Sequence, residues 1–554
     1  MEQLHKEKMR KSQIWMPLLL ALAAVVGMMI GMRLQKPSPI TIIENGRENL
    51  KTGNSGGVEE LIRYIESRYV DEVDHEELTE VAINAIIDRL DPHSSYIPAR
   101  DLQAVNENLE GNFDGIGIEF FILDDTLFVV SPLVGGPAET AGLLAGDRIV
   151  MVEDSLIAGK DKDVRELTKM LRGKKQSEVH VGVLRNGEQE LLEFTIIRAA
   201  IPMPSLDVAM MLDDKTGYIR LNRFSAKTYE EFMEALEVLV EDKKMEDLVL
   251  DLRGNPGGYL LEATKLLSQL FTEKQALLVF TEGRKTGRND YSSSGMPFFN
   301  VDDIVVLIDG GSASASEIVA GAIQDKDRGI IVGRRSFGKG LVQEQYDLSD
   351  GSALRLTVAR YYTPSGRSIQ KPYDVDAPEN YAHDGISRLE SGELLDKNKI
   401  EITDSTQYHT TKGYVVYGGG GIIPDVFVPL DTSMFSGSYT AMQRQIRPFV
   451  YNLFSNPPAE WAEHTLTSFK NNYTISDKLF NQYMDRVEKE VETIDEDEFA
   501  KCESHIKLLL KARMARHLFG DEGLYSILNE DDDMIKETLR VLHLPNPLVS
   551  VKNK

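Results

Sequence analysis

Apolar positions in residues 58–69 and 76–90 fall three and four apart (Leu61, Ile62, Ile65; then Val81, Ile83, Ile86, Ile87), the period of an amphipathic helix. Asp91-Pro92 ends the second run, so a small helical module is expected here. From Gly115 to about Arg198 the pattern changes to short β-rich runs at 115–121, 126–130, 147–152, 179–184 and 191–197, with helical stretches at 138–143 and 163–171. Arg185-Asn186-Gly187-Glu188 is a hairpin turn between the last two strands. The pattern predicts a small barrel with two helices.

A second series begins at Gly217. Apolar strands at 248–252, 304–308 and 329–332 alternate with helices at 229–241, 260–271 and 316–324, which predicts an α/β layer. Residues 371–412 are polar and charged and read as a loop inserted between strands. Beyond Met434 the period is helical, and the acidic run 488–498 reads as a solvated helix face.

At the other end, residues 14–32 are nineteen positions without a charge, preceded by Lys6, Lys8, Arg10 and Lys11. At ~1.5 Å per residue this matches the hydrocarbon core of a bilayer. A cleaved signal peptide is the competing reading, but Ala21-Leu22-Ala23 sits in the middle of the run, so an uncleaved anchor is expected. Arg33, Lys36, Arg47 and Lys51 balance the basic residues before the run, and charge leaves the orientation open. Residues 37–57, rich in Pro, Gly, Asn and Ser, read as a tether.

At 554 residues the chain exceeds one hydrophobic core, and its 42% hydrophobic and 27% charged composition is that of folded protein. A formal net charge of -26 argues against nucleic-acid binding. The single cysteine, Cys502, allows neither an intramolecular disulfide nor a thiolate metal site of its own.

Candidate chemistry lies in the α/β layer. Asp309-Gly310-Gly311-Ser312-Ala313-Ser314-Ala315-Ser316-Glu317 follows a buried strand and opens an apolar helix. Ser314 and Glu317 have capping-box spacing, so Ser314 reads first as a helix cap. A serine at a helix start can also be a nucleophile, with the helix amides beside a developing oxyanion. No histidine occurs between Val181 and Ala382, which excludes a Ser-His pair built within this layer. A base would have to be a lysine, and Lys339 lies between two glycines in Phe337-Gly338-Lys339-Gly340. A lysine can serve only where burial or nearby charge lowers its pKa. The segment from Gly333 nearly fits a phosphate-binding loop, but Gly340 stands where a hydroxyl should be, and a strand pattern rather than a helix follows.

The motifs Leu90-Asp91-Pro92-His93-Ser94-Ser95-Tyr96, Asp251-Leu252-Arg253-Gly254-Asn255-Pro256-Gly257-Gly258, Gly311 to Glu317 and Phe337 to Gly340 together resemble the C-terminal processing peptidases, or tail-specific proteases (family S41). The resemblance covers roughly residues 55 to 430. It implies that Ser314 attacks the peptide bond, that Lys339, twenty-five positions later, takes its proton, and that Gln343 orients the lysine. It also offers Asp325 as a relay acid, although an aspartate at a helix C-terminus opposes the dipole. By the same resemblance Gly257 and Ala315 are main-chain oxyanion donors. Neither metal nor cofactor is implied.

Gly115-Ile116-Gly117-Ile118 resembles the carboxylate-binding loop of PDZ domains, and residues 137–150 resemble their later segment. Successive amides would take a peptide C-terminus, the strand edge would pair with its backbone, and Ile116 and Ile118 would suit an apolar last side chain. The expected architecture is multidomain α/β and β: tail and transmembrane anchor 1–36, tether 37–57, helical module 58–100, PDZ-like domain 101–198, peptidase core 199–433 of ClpP/crotonase-like type with the insertion 371–412, and helical region 434–554. The expected function is serine endopeptidase acting on proteins with accessible C-termini. The alternative is an inactive PDZ-containing scaffold. Homodimerisation and a single-pass position in a bacterial inner membrane, catalytic region periplasmic, are implied by the resemblance.

Overall fold

The computed structural model describes residues 56–553 apart from 124, 161, 433, 455–457, 459–460, 462 and 491–493. The expected membrane span at 14–32 and nearly all of the tether lie outside the described residues. Among the described residues no helix is long and apolar enough to cross a membrane. The described residues divide into two units between residues 82 and 83. In the first, α1 (Gly57–Arg68) carries Glu59 and Glu60 in its first turn and Arg68 in its last, as the helix dipole favours. The next helix, α2 (His75–Ile87), runs across the division.

The second unit continues with β1 (Ser95–Ile97), α3 (Ala99–Glu110) and β2 (Asn112–Gly115). Then come β3 (Ile118–Leu123), β4 (Thr126–Pro132), α4 (Pro137–Ala141), β5 (Arg148–Val152), β6 (Ser155–Leu156), α5 (Val164–Leu171), β7 (Glu178–Leu184) and β8 (Leu192–Ile197). The run expected at 115–121 is thus two strands, broken at 116–117. The strands β3 to β8 form one antiparallel sheet in the order β3-β4-β5-β7-β8, with β6 on β5. Among the described residues β3 and β8 do not pair, so the expected barrel is open along the outer edge of β3. Its core of Leu127, Val129, Ile149, Val181 and Ile196 is closed by Leu167 and Leu171 of α5, whose start is capped by Asp163. A short β9 (Ala199–Pro202) pairs with β2.

The α/β layer comprises β10 (Leu206–Met211), β11 (Thr216–Leu221), α6 (Thr228–Glu237), β12 (Asp247–Asp251), α7 (Leu260–Ser268), β13 (Leu277–Gly283), β14 (Gly287–Ser292), β15 (Ile304–Ile308), α8 (Ala315–Asp325), β16 (Ile330–Gly333), β17 (Leu341–Asp347) and β18 (Ala353–Tyr362). After them come α9 (Pro378–Ala382), α10 (Asp384–Glu390), β19 (Asp404–His409), β20 (Val415–Gly418) and β21 (Val426–Phe427). The C-terminal helices are α11 (Gly437–Phe454), α12 (Leu466–Asn472), α13 (Asp477–Glu490), α14 (Glu496–Asp531, broken at Gly520), α15 (Asp533–Leu542) and α16 (Pro547–Lys552).

The main sheet has the order β10-β11-β12-β15-β16-β21, parallel except for β10. Its strands are apolar on both faces because both are covered. Leu248, Leu250, Val306 and Ile308 meet α6, α7 and α8 on one face. Val249, Val305, Leu307 and Val332 meet Met534, Ile535, Val541 and Leu542 of α15 on the other. The boundary expected at 433/434 therefore does not close the core, which takes one of its layers from the last helices.

A second sheet runs β1-β18-β13-β14, with β17 also on β18. The strand β1 belongs by sequence to the helical module, and its pairing with β18 carries the loop Asp91–Ser94 into the layer. The segment 371–412 is not a polar loop. It holds two helices and a strand, and buried Arg388 donates to the carbonyls of Arg335, Ser336 and Phe337 while Glu393 pairs with Arg335 at 2.6 Å. The helices α11 to α14 build a separate core around Met442, Ile446, Phe469, Tyr483 and Leu510. The acidic run 488–498 is split between the end of α13 and the start of α14, which Asp495 caps.

Candidate active site

Three loops converge at the start of α8. The first, after β12, begins at fully buried Asp251, held in its charged form near a pKa of about 2 by Arg253 and Arg220 despite its burial. Further on, Asn255 pins this loop to the next: its side-chain amide donates to the Leu221 carbonyl at 2.9 Å, and its own carbonyl accepts from Ala313 N and Ser316 Oγ. Gly257, at φ 95°, packs so closely that a Cβ there would stand 2.8 Å from the Ser314 Cβ.

The second loop carries Ser314. It heads α8, and its amide donates to the Glu317 carboxylate, the Glu317 half of the capping box that the spacing predicts. Its φ of 54° and ψ of -113° are not those of an ordinary cap, and for a residue with a Cβ they cost on the order of 1–3 kcal/mol. A strained serine on a strand-to-helix turn needs compensation, and the third loop supplies it.

That loop, residues 334–340, is tied to the second by the carboxylate of Glu317, which is fully buried. Its Oε1 accepts from Ser336 Oγ at 2.6 Å and Gly338 N at 2.7 Å, and its Oε2 from Lys339 N at 2.8 Å and Ser314 N at 2.9 Å. One oxygen thus holds the amides of Ser314 and Lys339 together. On the other side, the Tyr361 hydroxyl donates towards the carbonyl oxygens of the same two residues. Burial pushes Glu317 up to about 7, with its four donors acting in the opposite sense.

The Lys339 side chain is largely buried. Its Nζ donates to Gln343 Oε1 at 2.9 Å and forms no ion pair among the described residues. Burial lowers its pKa, Arg355 adds to the effect, and Asp91 and Glu317 oppose it. The amide of Gln343 is oriented in turn, because its Nε2 donates to the His93 carbonyl at 2.5 Å.

Ser314, Lys339, Gln343, Gly257 and Ala315 are therefore brought together. Asp325 is not. It ends the eleven-residue α8, about 16 Å from Ser314 along the axis, where Arg367 pairs with it at 2.7 Å, both side chains essentially inaccessible. The two oxyanion candidates also differ. The Gly257 amide donates to Asn255 Oδ1 at 2.9 Å, whereas the Ala315 amide donates to no acceptor among the described residues.

Sequence reasoning missed three participants. His93 enters from outside the layer, its Nε2 2.7 Å from the Tyr381 hydroxyl, with burial and then Lys339 lowering its pKa to about 4. Glu317 was visible only as half of a capping box. Asp91 organises the loop that reaches Gln343 by accepting from His93 N, Ser94 N, Ser94 Oγ and Thr357 Oγ1. The signal for His93 and Asp91 was the motif at 90–96, to which no role was given.

In the antiparallel domain, residues 116–117 connect β2 to β3. The amides of Ile116 and Gly117 donate to no acceptor among the described residues, and the outer edge of β3 is unpaired. The Ile116 side chain, 2% exposed, lies in the core and does not face a ligand, contrary to expectation. Ile118 is half-buried.

Residues 215–377 match Peptidase family S41, 115–196 a PDZ domain, and 438–520 a family of unknown function. The carboxy-terminal processing protease CtpB of Bacillus subtilis is 37% identical over 317 residues, 57% of this chain and 65% of the relative. The carboxy-terminal-processing protease of Bartonella bacilliformis is 38% identical over 317 residues, 56% of this chain and 71% of the relative. The chain thus spans about two thirds of the length of these relatives. A solved photosystem II D1 C-terminal processing protease shares 27% identity, covering 67% of this chain and 92% of that one, with a TM-score of 0.34. So low a score carries no argument, and the assignment rests on the sequence relatives. With the motifs of all three loops inside the matched span, this chain belongs to the carboxy-terminal processing proteases of peptidase family S41.

Proposed function

We propose that the chain is a serine endopeptidase in which Ser314 is the nucleophile and Lys339 its general base. The observation that carries the reading is the single Glu317 oxygen that accepts from the amides of both residues. Neutral Lys339 takes the proton of Ser314 Oγ as the oxygen attacks the substrate carbonyl. The free Ala315 amide, at the positive end of α8, donates to the oxyanion. Gly257 contributes only by sharing the proton it now gives to Asn255. Protonated Lys339 then passes its proton to the leaving amine, and water, activated by the same lysine, releases the acyl group. Gln343 fixes the amine, and Asp325 serves the fold.

Substrates are proteins with accessible, apolar C-termini. Their carboxylate is taken by the amides of Ile116 and Gly117, and their backbone adds to the edge of β3. Residues 14–32 anchor the chain in a bacterial inner membrane, with the catalytic region on the periplasmic side. The test is cleavage of an unstructured protein with an apolar tail, as free acid and as C-terminal amide. Loss of cleavage in Ser314→Ala and Lys339→Ala, and slower cleavage of the amide, are expected. Wild-type cleavage by either variant overturns the reading.

A further inference from the structure

Along β18 the pairing with β17 slips by one residue between Ala359 and Thr357, so the alternation of faces is reset there. The Tyr361 hydroxyl reaches the carbonyl oxygens of Ser314 and Lys339. Beyond the slip, Thr357 donates to Asp91 and stands opposite Gln343, the partner of Lys339 Nζ, so its face of the strand is the one that meets the lysine. The next position on this face is Arg355, opposite Gln345. Its charge acts on Lys339, and Tyr259, the residue that follows Gly257-Gly258, acts on it in turn, in keeping with its place on the face that Gln343 shares.

Arg355 is half-buried, yet no carboxylate approaches it to ion-pair distance among the described residues, and its one hydrogen bond is from Nη2 to Gln345 Oε1 at 3.1 Å. Its remaining guanidinium N–H groups make no hydrogen bond among the described residues. A guanidinium offers donors in a rigid fork that suits a carboxylate held by two parallel bonds. Its neighbours do the opposite of satisfying it, since Lys339 becomes a second cation in the same space whenever it is protonated.

We propose that Arg355 forms a carboxylate-binding subsite in the cleft, taking an Asp or Glu side chain of the substrate within a few residues of the scissile bond. This rests on the Ser314-Lys339 reading and adds a specificity element that the peptide C-terminus, bound on the other domain, does not supply. An acidic side chain there replaces the water on the guanidinium and offsets the positive charge beside the lysine.

The test is a positional-scanning peptide library, each position carrying Asp, Glu, Asn, Gln, Lys or Arg, cleaved by the full-length detergent-solubilised protein. The wild type should favour the acid over its amide counterpart at one position by about tenfold to a hundredfold, the range of a charge-assisted pair. In Arg355→Gln that ratio should fall to about one, whatever the absolute rate. In Arg355→Glu the same position should come to favour Lys or Arg. No acid preference in the wild type, or a preference that survives in both variants, overturns the subsite. Cleavage that persists in Ser314→Ala would instead overturn the underlying reading.

Discussion

Replacing Glu317 by Gln tests the carboxylate clip. The wild-type side chain accepts from four donors. A glutamine keeps one acceptor oxygen and turns an amino group towards the other two donors, leaving two buried N–H or O–H groups unsatisfied at about 1–3 kcal/mol each. Against that loss, the charge itself is no longer buried. Raising a carboxyl pKa from 4.5 to about 7 corresponds to about 3 kcal/mol. Because the folded-state pKa lies above the unfolded value, this contribution is fully present below 4.5 and is lost as pH rises through 7. The wild type should therefore exceed Glu317→Gln in stability by about 3 kcal/mol more at pH 4.5 than at pH 8. Thermal unfolding of both proteins at the two pH values measures the difference. In parallel, releasing the shared oxygen lets Ser314 and Lys339 drift, and a misplacement of about 1 Å costs on the order of a hundredfold in kcat/KM. A stability difference independent of pH, or wild-type kcat/KM in the variant, would refute the reasoning.

Gly257→Ala places a Cβ 2.7–2.8 Å from the Ala313 carbonyl, the Ala315 amide and the Ser314 Cβ, so kcat should fall on the order of a hundredfold in a protein that still binds C-terminal peptides, measured by steady-state kinetics and peptide titration. Asp325→Asn leaves Arg367 buried and unpaired and should cost about 3–5 kcal/mol in denaturant unfolding, while surviving folded protein keeps wild-type kcat. His93 has a folded-state pKa of about 4, below its ordinary 6.5, so the wild type should lose stability as pH falls through that window. His93→Gln should lose less over the same range, as thermal unfolding at pH 6.5 and 4 would show.

Much of the layer was legible because apolar runs such as Ile304–Ile308 are continuous only when both faces of a sheet are covered. What covers the second face was not legible: α15 lies over two hundred residues downstream, and nothing in its own period says which sheet it meets. The same reason hid β1 and the arrival of His93, since strand pairing across 260 positions leaves no local trace. Ser314 and Lys339 were legible as a pair through motif and spacing, but the buried carboxylate that joins them looked like an ordinary capping residue. Asp325 misled because its place at the end of α8 fixes its distance from Ser314, whereas the motif match carries no distance. Ile116 misled because alternation in a Gly-rich loop does not say which side chain turns inward.

The most direct test of the central claim is mass spectrometry of the detergent-solubilised protein after treatment with a fluorophosphonate. A single adduct on Ser314 is predicted, slowed in Lys339→Ala and absent in Ser314→Ala. An adduct on another residue, or none while the wild type still cleaves its substrate, would contradict the assignment of Ser314 as nucleophile.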